Sequence, residues 1–148
     1  MPRPSRPTGS FVQQTLDTRY HIDYDWWERA NEDMNLYLKQ QLCDEHQEFP
    51  DEEWEDSTVL DWVDPDSGLV WAVDHLTYMI LSHCSKMEGF ISERSSLIDS
   101  LFRTLLSSAN RPMTPVELAE RTGRDAKTIL GTLSGTTVYK GIRPVVGS

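Results

Sequence analysis

The segment from Ser96 to Leu133 constrains the fold of this chain more than any other, because it carries three helix signals in succession. The first is a stripe of apolar residues at the spacing of one buried helical face. The stripe consists of Leu97, Ile98, Leu101, Phe102, Leu105 and Leu106. We predict a helix from Ser96 to Ala109, which Asn110 and Pro112 bring to an end.

A shorter helix is predicted directly after it. Thr114 is a suitable N-cap, and Glu117 three residues later completes a capping box. Because proline is favoured at the first helical position, this helix should run from Pro115 to Arg121. Gly123 should end it, since glycine tolerates the left-handed conformation found after many helices.

The third helix is predicted from about Asp125 to Leu133, and Val138 to Val146 should form a strand. Helix, short helix, glycine turn, helix and basic strand together resemble a winged helix-turn-helix domain over residues 95–146. The positions that match the small and apolar residues between the two helices of that family are Leu118, Ala119 and Ile129.

This resemblance implies a DNA-binding transcriptional regulator whose recognition helix is Asp125–Leu133 and whose partner is double-stranded DNA. The implied DNA contacts are Arg124 and Lys127 at the start of that helix, Thr128 on its exposed face, and Lys140 and Arg143 in the wing. Winged-helix folds also serve as protein–protein modules, so a module that binds no DNA stays open as the alternative.

Charge divides the chain into two parts. Residues 1–102 carry 7 Lys and Arg against 21 Asp and Glu, whereas residues 103–148 carry 7 against 3. The second part can contact phosphate, and the first favours a basic partner. We therefore expect a disordered tail at 1–10, an acidic helical region at 11–94 and the winged helix-turn-helix domain at 95–148.

The acidic region is predicted to be helical around one small β-hairpin, which makes the fold class mainly α. Asp25 should cap an amphipathic helix that ends near Leu42. The hairpin is expected near 58–73, with strands at Thr58–Val63 and Leu69–Val73.

Turn and cap residues support this part of the prediction. Gly68 suits a left-handed position in the hairpin turn, and Asp74 suits the N-cap of the next helix. That helix should run from His75 to about Lys86.

Two cysteine–histidine pairs are candidate ligands of a structural zinc ion. Cys43 and His46 form a C-x-x-H half-site, and His83 and Cys84 supply two further ligand types. Adjacent side chains on a regular helix diverge by about 100°, which weighs against the second pair. The alternative is a buried Cys84 and an exposed His46 with no metal.

The segment Asp44–Asp56 contains eight carboxylates in thirteen residues. We expect a solvated loop, and the alternative is a phosphate-mimicking surface with Phe49 and Trp54 as apolar anchors. All five tryptophans lie in the acidic part, where we expect core packing or an interface for a protein partner or for self-association.

The sequence lacks the motifs of the major enzyme classes, including nucleotide-binding loops, nucleophile elbows and zinc-protease helices. We therefore expect no enzymatic activity. The longest uncharged central segment is the 11 residues from His75 to Ser85, too short to cross a bilayer. Residues 1–10 lack the apolar stretch of a secretory signal, so we expect a cytoplasmic protein.

Overall fold

The computed structural model describes residues 13–43, 59–65, 67–92 and 95–145. Within these ranges the chain forms six α-helices and two antiparallel two-stranded sheets. The helices are α1 Tyr24–Arg29, α2 Met34–Lys39, α3 His75–Ser82, α4 Leu97–Ser107, α5 Pro115–Thr122 and α6 Ala126–Leu133. The strands are β1 Tyr20–Ile22, β2 Val59–Val63, β3 Val70–Asp74 and β4 Ile142–Pro144. Helices predominate and the hairpin is present, as predicted, whereas the tail at 1–10 and the segment Asp44–Asp56 lie outside the described residues.

The helices of the C-terminal part begin where their capping residues predict. Ser96 caps α4 by accepting a hydrogen bond from Asp99 N, and Asp125 caps α6 by accepting one from Thr128 N. Thr114 and Glu117 form both bonds of the predicted capping box. Gly123 ends α5 with a φ of 75°, in the left-handed region.

The predicted helix from Asp25 to Leu42 is wrong, because the structure divides this segment into α1 and α2. Asp23, rather than Asp25, caps α1, and Asp33 caps α2 by accepting a hydrogen bond from Leu36 N. Between them Asn31 has a φ of 56°, a conformation that asparagine tolerates better than most residues. Local side-chain hydrogen bonds thus outweigh the apolar periodicity.

Strand β4 is shorter than the predicted Val138–Val146 and takes its partner from the start of the described chain. It pairs with β1 in antiparallel register, with Tyr20 opposite Pro144 and Ile22 opposite Ile142. On the other side of β1, Tyr20 N donates to the Met113 carbonyl at 2.8 Å. The acidic N-terminal part therefore completes the sheet of the basic C-terminal part.

The end of α4 also contacts β1. The helix ends at Ser107 rather than at Ala109, and Ala109 and Asn110 both adopt the left-handed conformation. This turn brings the Asn110 side chain to β1, where its Oδ1 accepts from Ile22 N and its Nδ2 donates to Ile22 O.

The hairpin β2–β3 has an inner and an outer face. Its inner face carries Leu60 and Trp62 beside Trp71 and Val73, as the alternating pattern predicted. Trp62 contacts Tyr78 of α3 edge to face, with ring centroids 6.1 Å apart. The loop residue Gly68 has the predicted left-handed φ, at 75°.

One hydrophobic cluster joins both parts of the chain. Phe102 of α4 is fully buried and packs edge to face on Trp27 of α1 and Tyr37 of α2, with ring centroids 6.2 and 4.8 Å away. Leu118 of α5 and Ile129 of α6 belong to the same cluster. No helix within the described ranges has the length and apolar character needed to cross a membrane.

Candidate metal centre and predicted DNA-binding face

Three of the four predicted metal ligands lie together in the structure. Cys43 Sγ is 3.4 Å from Cys84 Sγ and 3.6 Å from His83 Nδ1. One donor atom from each residue lies within 4.8 Å of the other two, close enough for a single metal ion to bind all three. The fourth predicted ligand, His46, lies outside the described residues.

The end of α3 explains how two adjacent residues face the same point. The helix stops at Ser82, and His83 leaves helical geometry with φ −130° and ψ −63°. Cys84 then begins a separate 3₁₀ turn, Cys84–Lys86. The 100° divergence expected on a regular helix therefore does not apply to this pair. Cys43 reaches it from the chain that follows α2.

The two thiols lie in different surroundings. Cys84 is fully buried, and burial raises the pKa of its thiol to about 11. Cys43 is half-buried, and a cavity of about 400 Å³ is lined by both cysteines together with Phe90 and Arg103. A divalent cation that enters by this cavity would favour the thiolate forms, since coordination deprotonates a thiol.

The structure places Arg124 against the start of α4. Its Nη2 donates to the Ser95 carbonyl at 2.6 Å and lies 3.5 Å from Ser100 Oγ. These contacts link the turn before α6 to the N-terminus of α4. The guanidinium predicted to read bases is thus part of the hydrogen bonding that holds the helices together.

Substituting Arg124 with Ala is expected to lower the free energy of unfolding by about 1.5–3 kcal/mol, the usual range for a hydrogen bond to a charged group. Urea unfolding measures this change. Lys127→Ala is the matched control, because Lys127 is an exposed cation on the first turn of α6 and should change stability by less than about 0.5 kcal/mol. Equal stability of the two variants would contradict the structural role of Arg124.

The two predicted wing cations also have partners within the chain. Lys140 Nζ lies 4.7 Å from the centre of the Tyr37 ring and 6.0 Å from that of Trp27, within cation–π distance. Arg143 Nη1 lies 3.3 Å from Asp23 Oδ2, which Arg29 also approaches at 3.4 Å. Both cations therefore contact the N-terminal part of the chain.

The exposed start of α6 carries Lys127 and Thr128, as predicted, together with the N-cap carboxylate of Asp125. Thr128 donates its backbone N–H and its hydroxyl to Asp125 Oδ2, at 2.9 and 3.0 Å. The Thr128 N–H holds the pKa of Asp125 below its usual range. A negative charge is thus fixed where a phosphate or base edge would approach.

Lys86, Arg111 and Arg121, which no sequence pattern marks as functional residues, line one cavity between α3, α4 and the hairpin. No local motif contains them, because 25 residues separate the first two.

Comparison of the chain with protein families, with curated proteins and with solved structures finds no match.

Proposed function

We propose that this protein is an interaction module whose fold is stabilised by a structural zinc ion held by Cys43, His83 and Cys84. The observation that carries the proposal is the meeting of these three side chains from two separate segments. Thiolate and imidazole are the ligands that zinc prefers in structural sites, which take four of them; the predicted fourth ligand, His46, lies outside the described residues. The site needs no catalytic base, and none of the motifs that supply one is present in the sequence.

The donor distances are compatible with a tetrahedral zinc site. With Zn–S bonds of about 2.3 Å and Zn–N bonds of about 2.0 Å, such a site places two sulfurs roughly 3.8 Å apart and a sulfur and a nitrogen roughly 3.5 Å apart. The observed separations are 3.4 Å between the sulfurs and 3.6 Å between sulfur and nitrogen.

Zinc would stabilise a part of the fold that contains two short helices. Helices α1 and α2 have six residues each, a length at which an isolated helix is unstable. An ion bound to Cys43 and to the His83–Cys84 pair would tie the end of α2 to the end of α3. The metal would thereby stabilise the acidic part of the chain against the long, well-capped α4.

The C-terminal helices support a helix-turn-helix arrangement, without a wing hairpin, as the scaffold of this module. Helices α4, α5 and α6 precede β4, and Gly123 makes the tight turn between α5 and α6. Strand β4 pairs with β1 rather than with a second wing strand, so the described residues contain no wing hairpin.

We favour protein contact over DNA contact because Arg124, Lys140 and Arg143 already contact other groups of the chain. The outer face of the hairpin supports the same choice. Val59, Val63 and Val70 are each more than half exposed there, beside the exposed carboxylate of Asp61. A basic partner with apolar side chains matches this surface and the chain's net charge of −10.

The zinc proposal is tested by the metal content of the purified protein and by cobalt substitution. We expect one zinc per chain and, with cobalt, the absorption of a sulfur-to-metal charge transfer. Cys43→Ser and Cys84→Ser should each abolish both signals. His75→Gln is the matched control, since His75 begins the helix whose far end carries His83, and it should keep them. Zinc that stays bound in the Cys43→Ser, Cys84→Ser double variant would contradict the assignment.

DNA binding through α6 is the second candidate function, and the exposed Lys127 at the start of that helix favours it. The test is a titration with mixed-sequence duplex DNA at two salt concentrations. Under the module proposal we expect no binding at micromolar protein, even at the lower salt. Binding that weakens with salt and is reduced by Lys127→Ala, but not by Arg19→Ala at an exposed cation outside α6, would establish the second candidate instead.

A further inference from the structure

A cavity of about 330 Å³ lies between the hairpin, the end of α3 and the end of α4. Trp62, Leu81 and Ile91 contribute apolar lining, and Lys86, Arg111 and Arg121 contribute three positive charges. Its volume lies at the lower end of the range found for small-molecule sites.

The cavity is lined mainly by positive charges, whereas the chain as a whole is negatively charged. Acidic residues outnumber basic ones by 24 to 14 in the sequence, yet the described residues that line the cavity include three cations and one carboxylate, that of Asp64. Several guanidinium groups outside the cavity have polar partners: Arg29 and Arg143 lie beside Asp23, and Arg103 donates to Gln41.

Lys86, Arg111 and Arg121 have no ion pair with any described residue. All three are exposed and accessible to a ligand from solvent. Lys86 and Arg121 lie in the last turn of a 3₁₀ turn and of α5, where the backbone dipole favours a cation, whereas Arg111 follows the end of α4 by four residues. All three line the same cavity, and several cations at one cavity are what an anion site requires.

The lining also indicates the shape of the ligand. Three cations suit a phosphate group, which carries close to two negative charges at neutral pH and accepts several hydrogen bonds. Trp62 also lines the cavity, and aromatic side chains stack on planar groups such as nucleic-acid bases.

We propose that this cavity binds an organic phosphate monoester, with the phosphate at Lys86, Arg111 and Arg121 and a planar body against Trp62. The site shares no residue with the zinc centre, so the two proposals stand or fall separately.

The test uses the full chain with adenosine 5′-monophosphate as the probe, followed by calorimetry and by tryptophan fluorescence at constant ionic strength. We expect saturable binding of one molecule per chain, with inorganic phosphate binding more weakly and adenosine not at all. Arg111→Gln and Arg121→Gln should each weaken binding about tenfold or more, since each removes charge-assisted hydrogen bonds. Both positions are exposed, so melting temperatures close to that of the unchanged protein are expected for both variants.

Arg19→Gln is the matched control, because it removes an exposed cation outside the cavity and should leave the affinity unchanged. Several outcomes would overturn the proposal: no saturable binding, equal loss in the control, or equal affinity for adenosine. Binding of duplex DNA through Arg111 and Arg121 without binding of the monophosphate would also overturn it, in favour of a nucleic-acid contact.

Discussion

Removal of zinc by excess chelator is expected to lower the free energy of unfolding by about 4 kcal/mol, measured against protein held at a zinc concentration of roughly 1,000 times the dissociation constant. The reason is linkage: the proposed ion would bind the folded arrangement of Cys43, His83 and Cys84, and this arrangement is lost on unfolding. Urea unfolding followed by circular dichroism and by tryptophan fluorescence gives the change. Because a domain of this size is stable by only about 5–15 kcal/mol, the effect is large.

The same experiment on Cys84→Ser serves as the control. This variant should resemble the chelated protein from the start, and chelator should not destabilise it further. If chelator destabilises both proteins equally, the metal acts elsewhere in the chain. If it destabilises neither, the three side chains are packed without a metal, as the alternative from the sequence has it.

Local interactions explain which parts of the fold the sequence predicts well. The caps at Ser96, Thr114 and Asp125 act within one helical turn, so the residues that decide each boundary are adjacent in sequence. The division of the predicted N-terminal helix into α1 and α2 also has a local cause. Side-chain hydrogen bonds to the backbone compete there with a continuous helix, and the apolar periodicity contains no information on this competition. Asp33 bonds the backbone of Leu36, and this outweighs the continuous apolar stripe.

The pairing of β1 with β4 could not be predicted, because nothing near either strand identifies the other. Both strands have three residues, and the pairing joins Ile22 to Ile142 across most of the chain. The same long-range contact changes the interpretation of the basic residues. Arg143 finds its carboxylate at Asp23, 120 residues away, and Arg124 finds its carbonyl at Ser95, 29 residues away. Sequence patterns show that a cation is present, whereas the fold decides what it binds.

At the candidate metal centre, the residue types in the sequence predict more than they do for the two strands. Cys43, His46, His83 and Cys84 are the predicted ligands, and the structure brings Cys43, His83 and Cys84 together. The prediction that the helix continues from His75 to about Lys86 is wrong, because α3 ends at Ser82. This earlier end frees His83 and Cys84 from helical geometry, so that both side chains reach the site.

Two glycine-to-alanine substitutions are expected to change stability in opposite directions. Gly141→Ala should lower the free energy of unfolding by about 2–5 kcal/mol, because alanine in the left-handed region costs about 1–2 kcal/mol and overpacking adds about 1–3 kcal/mol. At Gly141 φ is 76°, and an added Cβ would lie 2.7 Å from Trp27 Nε1 and 3.1 Å from the Asp23 carbonyl oxygen. Trp27 cannot retreat, since it is buried against Phe102.

Gly131→Ala is the matched substitution in α6. A Cβ added at Gly131 would have no other atom within 4 Å, apart from its chain neighbours and the backbone of its own helix. The residue is helical. Alanine should therefore raise the free energy of unfolding by up to about 1 kcal/mol through helix propensity. Urea unfolding of both variants measures the difference. Because Gly141 O accepts a hydrogen bond from Asp23 N at 2.7 Å, the loss in Gly141→Ala reports on how the N-terminal segment docks beside β4. Equal, small effects at the two glycines would mean that β1 and β4 do not form the close contact on which the joining of the acidic and basic parts depends.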